Sequence, residues 1–162
     1  MSGDLEITIP NLDEVLAKWK RLEGKEQQKA ARTATSKMAQ LYRRELKASA
    51  PKNTGNLRKH IRMKVRKGRS FTGIWAKVGV LKGKDPKVYP YYAYFLEYGT
   101  SGHSLNARGA KHSAFDGSVY GAVEHPGHRA KPFLRPTFSR HKSAAVGVGS
   151  SAFIKWVQKV AK

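Results

Sequence analysis

Cysteine is absent from this 162-residue chain, so neither a disulfide nor a thiolate metal site holds the fold together. That absence fits a reducing compartment. Acids are scarce: 11 stand against 32 lysines and arginines, and the net charge is +21. No stretch reaches the roughly 18 consecutive apolar residues that a membrane-spanning helix requires. Met1 to Pro10 has neither a basic n-region nor an apolar h-region, so no secretory signal is expected there. No pair of carboxylates, nucleophile elbow or phosphate-binding loop stands at motif spacing, and no enzymatic activity is expected.

What the chain has instead is ordinary apolar content, 40%, under a basic coat. A chain of this length buries about 68–70% of its unfolded surface, enough for a real core, and a single domain over 1–162 is expected. The charge is uneven. Residues 1–45 hold 9 Lys/Arg and 7 acids, whereas residues 46–162 hold 23 Lys/Arg and only 4 acids. A field of this kind points to a polyanionic partner, either nucleic acid or an acidic protein surface.

Leu5, Ile7 and Ile9 alternate with polar residues, as in a short strand or extended arm that Pro10 ends. Asn11 is placed to cap a helix carrying Leu12, Val15, Leu16, Trp19 and Leu22 on one stripe. The arm and this helix make up residues 1–24. A second helix is expected from Lys25 to about Ser49, with Pro51 as its stop. After a turn at Thr54-Gly55 and a helical turn at Leu57 to His60, two strands follow. In the first, Ile61, Met63 and Val65 alternate with Arg62, Lys64 and Arg66, which predicts a half-buried strand with a basic outer face. In the second, Ile74, Ala76, Val78 and Val80 alternate, antiparallel to the first. Arg58, Lys59, Arg62, Lys64, Arg66, Lys67 and Arg69 are the residues expected to meet DNA or an acidic partner.

Tyr89 to Thr100 concentrates the large aromatics. Tyr91, Phe95 and Tyr98 fall on one helical face that Tyr92 and Leu96 broaden, and Gly99 is a natural end. A short central helix with Phe95 and Leu96 in the core is expected. Glu97, the lone acid of this stretch, is expected to be buried and paired with an arginine such as Arg135. Residues 101–131 read as a long loop or insert, with a possible strand at Ser118 to Glu124. A last helix begins near Pro132-Phe133-Leu134-Arg135-Pro136, and Gly147 and Gly149 predict a kink in its middle. His103, His112, His125 and His128 match no short metal-ligand spacing, so no metal or other cofactor is expected. The fold class is therefore α+β: a small antiparallel sheet packed by N-terminal helices, a short central helix and a long C-terminal helix.

Three motifs recur here in a fixed order: Ala50-Pro51-x-x-Thr54-Gly55-x-Leu57-Arg58, then Tyr92-Ala93-x-Phe95-Leu96-Glu97-Tyr98-Gly99-Thr100, and finally Pro132-Phe133-Leu134-Arg135-Pro136. With two strands between the first and second, this order resembles the gene-product-ten-like (HK97-type) minor tail, neck or tail-completion proteins of long-tailed phages. The resemblance spans roughly residues 25–160. It implies a structural virion protein at the head–tail junction, present in the host cytoplasm during assembly. Several copies, commonly six, would form a ring next to head-closure, tail-terminator or tail-tube proteins, with double-stranded DNA passing through regardless of sequence. Six copies would carry about 126 positive charges, whereas about 40 Å of duplex presents only about 24 phosphates. Much of the basic surface is thus expected to face acidic neighbours. The alternatives are a tail terminator, a head-closure ring, or a sequence-independent nucleic-acid-binding protein of another kind. A toxin-type ribonuclease is disfavoured because no His/acid constellation stands at any motif spacing.

Overall fold

In the computed structural model of the chain, the described residues are 11–22, 24–53, 55–68, 73–82, 89–105 and 123–160. They form α1 (Leu12–Arg21), α2 (Gly24–Ser49), α3 (Asn56–His60), β1 (Ile61–Lys67), β2 (Ile74–Val80), α4 (Tyr92–Tyr98), β3 (His103–Leu105), β4 (Val123–His125), α5 (Leu134–Arg140) and α6 (Lys142–Val160). The architecture is α+β with a long C-terminal helix, as the periodicities predict. The chain divides into two compact units, Met1–Pro90 with Phe133–Lys162, and Tyr91–Pro132. The expected strand at Leu5 to Ile9 and the turn residue Thr54 lie outside the described residues.

In the first unit α2 is the organising helix, and α5, α6, β1 and β2 all contact it. Its small, fully buried Ala30 and nearly buried Ala39 let neighbours approach closely, and Leu46 is fully buried. The helix ends at Ser49 just ahead of Pro51, which disfavours helical backbone in the residue before it. The Ser49 and Thr137 hydroxyls share a hydrogen bond of 2.8 Å, tying α2 to α5. The Tyr42 ring packs against Phe138 at 4.6 Å, tilted by 44°, and burial pushes its phenol above the ordinary value.

Three expectations need correction in this unit. Asn11 does not cap α1 through its side chain; its backbone is left-handed, at φ 57°. Of the α1 stripe, Val15 is buried with Ala30 and Val157, and Trp19 and Leu22 pack on that cluster. Leu12 and Leu16 are each 44% exposed. The C-terminal helical run breaks at His141, between α5 and α6, not at the glycines. Gly149 serves a different purpose. A Cβ there would stand 2.6 Å from Cγ and Sδ of Met38, so the missing side chain lets α6 lie close on α2. Pro136 is the third residue of α5, still within the first turn, where a missing N–H costs no intrahelical bond.

In the second unit, segment 101–131 has paired ends. His103, Ser104 and Leu105 lie opposite His125, Glu124 and Val123, and Thr100 bridges His128 through bonds of 2.9 and 3.0 Å. The strand at 123–125 overlaps the end of the one expected at Ser118 to Glu124, of which 118–122 lies outside the described residues. The Lys131 N–H donates to the Leu96 carbonyl at 2.7 Å, fastening the ribbon to α4.

Candidate functional site

The site begins as a pattern of alternation. On β1, Ile61 is buried and Met63 and Val65 are half-buried, while Arg62, Lys64 and Arg66 are exposed. The period of two places those three cations on one side of the strand. Pairing with β2 then adds what lies across: Arg62 stands opposite Gly79, Lys64 opposite Lys77, and Arg66 opposite Trp75. Directly opposed residues share a face in an antiparallel pair, about 4.5–5.5 Å apart at Cβ. The outer face of the hairpin therefore carries Arg62, Lys64, Arg66 and Lys77, with Trp75 47% exposed among them.

No carboxylate can neutralise this face from within the hairpin. From Leu46 to Lys84 the chain holds 12 lysines and arginines and no acid. Neighbouring cations on this face, two positions apart on the strand or directly opposed across it, stand about 4.5–7 Å apart, within a Debye length of about 8–10 Å, so their fields add in physiological salt. Lys64 facing Lys77 is a like-charge cross-strand pair, an arrangement that destabilises a sheet. In the free protein the pair is therefore a cost to stability.

The other predicted contact residues are dispersed. Arg58 is half-buried and donates its Nε–H to the Lys47 carbonyl at 2.8 Å, fixing α3 to the end of α2. Lys59 is exposed on α3, and Lys67 is exposed at the end of β1. Arg69 lies outside the described residues. Lys77 and Trp75 were not among the predicted site residues; the alternation of Ile74, Ala76, Val78 and Val80 was the signal that puts them on the opposite side of β2. Replacing Lys77 with Glu is expected to raise the stability of the free protein by about 0.2–1 kcal/mol, through an opposite-charge pair with Lys64. A urea midpoint equal to or below that of the wild type would show that no repulsion is relieved.

Among the motif residues, Leu57 is buried at 3% exposure and Phe133 at 4%. Pro51, Pro132, Arg135 and Pro136 are exposed. On α4 the expected orientation is reversed. Tyr91, Phe95 and Tyr98 are exposed, and the face turned inward is Ala93 and Glu97, with Tyr92 and Leu96 half-buried. Phe95 is thus not a core residue. Glu97 is 2% exposed, and among the described residues no buried side-chain polar atom lacks a hydrogen-bond partner. Gly99 has φ 74° and its N–H donates to the Phe95 carbonyl at 2.8 Å, ending α4 as expected.

His103 and His125 stack across the ribbon at 5.1 Å. His103 Nδ1–H donates to the Ser101 carbonyl, and His125 Nδ1 accepts from the Gly127 N–H, both at 3.0 Å. Among the described residues no group of His, Cys, Asp and Glu is gathered in a way that would hold a metal, and no helix is long and apolar enough to cross a membrane.

A family model described as "Bacteriophage HK97-gp10, putative tail-component" matches residues 13–99. The match runs from α1 through α4 and includes the whole basic hairpin. Neither a curated protein nor a solved structure matches the chain. With more than half of its length covered by that family model, the chain belongs to the HK97-gp10-like family of bacteriophage tail components.

Proposed function

We propose that this tail component works as a tail-completion ring, of six copies, at the head–tail junction, with the genome passing through. In this reading the outer face of the hairpin holds the neighbouring acidic ring and guides DNA weakly, without reading its sequence. The observation that carries it is the acid-free hairpin face, where Lys64 opposes Lys77 between Arg62 and Arg66. Cations held in register with no internal counter-charge form a surface for a polyanion. Duplex affinity then falls steeply with salt, since each neutralised phosphate releases counterions.

The test replaces Arg62, Lys64 and Arg66 together by glutamine. All three are exposed on alternate positions of β1, so the fold is expected to persist with an unchanged unfolding midpoint. A phage lacking this gene, complemented with the triple variant, is expected to accumulate unjoined heads and tails in electron micrographs, or joined particles that leak DNA. Normal infectious particles from the triple variant would overturn the assignment of this face.

A further inference from the structure

The second unit presents an aromatic surface that the basic hairpin does not use. Tyr91, at the N-cap of α4, is 71% exposed, and along the helix Tyr94 is 63%, Phe95 42% and Tyr98 55%. Their rings are contiguous: Tyr94 lies 4.8 Å from Tyr98 and 6.0 Å from Phe95, and Phe95 lies 6.4 Å from Tyr91. At about 200 Å² of buriable surface per ring, these exposures amount to about 450 Å² left facing water. An apolar patch of a few hundred Å² is a mark of an interaction surface.

The distribution of charge identifies the occupant. The first unit, residues 1–90 and 133–162, holds 28 Lys/Arg and 8 acids, a net +20; the second, residues 91–132, holds 4 and 3, a net +1. Between Lys87 and Arg108 the chain has no lysine or arginine at all. Two copies approaching through their first units bring like charges of +20 together. Approaching through their second units, they meet on nearly neutral ground. A nucleic acid finds little net charge in this unit to neutralise its phosphates, four lysines and arginines against three acids, and stacking platforms for single strands work within positive grooves. An acidic protein likewise finds only a net +1 there.

We infer that the exposed face of α4, carrying Tyr91, Tyr94, Phe95 and Tyr98, is the surface through which one copy of this chain meets another. This rests on the assembly reading above and adds to it where the copies touch. The four rings supply about half of the roughly 800 Å² per partner that a stable interface buries, and tyrosines are prominent among residues that dominate such contacts. Beside them, Tyr92, Leu96, Thr100, His103 and His125 line a cleft of about 800 Å³ that also reaches Tyr94 and Phe95, and this widens the footprint.

The test is sedimentation equilibrium of the purified full chain alone, across sodium chloride from about 0.1 M to about 1 M. The wild type is expected to self-associate with a Kd that holds or tightens as salt rises, because salt screens the repulsion and leaves an apolar contact intact. The double substitution Tyr94→Ser, Tyr98→Ser is expected to weaken association at least about thirtyfold, with circular dichroism and unfolding midpoint unchanged. Tyr94→Phe is expected to associate like the wild type. If the double variant fails to fold, Tyr91→Ser, at the most exposed ring, provides the same comparison. A wild type that remains monomeric at every salt concentration, association lost as salt rises, or a serine variant that associates as well as the wild type would each overturn the inference. The triple glutamine hairpin variant, run alongside, is expected to self-associate normally. Failure of this interface is thereby distinguished from failure of the hairpin's role.

Discussion

Replacing Gly99 with alanine is expected to dismantle the junction between α4 and the ribbon. Gly99 sits at φ 74°, where a Cβ costs about 1–2 kcal/mol before any neighbour is considered. The neighbours add more. The new Cβ would stand 2.6 Å from the His128 carbonyl oxygen and 2.9 Å from the Ala130 nitrogen, both backbone atoms that cannot rotate away. Making room separates Thr100 from His128 and puts their two mutual hydrogen bonds at risk, along with the bond from Lys131 to Leu96. Together the strain and lost bonds are expected to cost about 3–5 kcal/mol, at the upper end of single substitutions. Hydrogen exchange is the direct reading: the amides of Thr100 and His128 are expected to lose protection while those in the middle of α2 and α6 keep theirs. Unchanged protection at Thr100 and His128 would refute the requirement for glycine.

Leu46→Ala is the second large effect, and it acts on the first unit. Leu46 is fully buried on α2, the helix that α5, α6 and both hairpin strands contact. Truncation removes three carbons from a site enclosed on several sides, so little can collapse into the space. The expected loss is about 2–5 kcal/mol, a large share of the roughly 5–15 kcal/mol that holds a typical domain folded. Urea unfolding followed by circular dichroism measures it; a midpoint shift worth less than about 1 kcal/mol would mean that the site repacks. The same substitution at Leu16, 44% exposed on α1, is expected to change stability far less.

Much of this molecule follows from the order of its residues. Pro51 ends α2, and alternation across Ile61 to Arg66 and Ile74 to Val80 gives two strands with their correct inner faces. These signals are local: a proline's ring and a strand's two-residue period act within a few positions of themselves. The motif order likewise pointed to the tail-component family that the match over residues 13–99 establishes. Tertiary structure decided matters that need a second segment. Periodicity put Tyr91, Phe95 and Tyr98 on one face of α4, but not which way it turns. Ala93 and Glu97 are the residues buried, and Tyr91, Tyr94 and Tyr98 are left outside. Gly149 reads locally as a weak point in a helix, yet it is the place where Met38 of α2 presses in. The three-residue strands of the ribbon are too short to show alternation, and pairing alone identifies them. That Lys64 confronts Lys77 is a fact of register, fixed by the pairing of β1 with β2. The basic face was legible in β1 by itself; its second strand, and the repulsion between Lys64 and Lys77, came only with the fold.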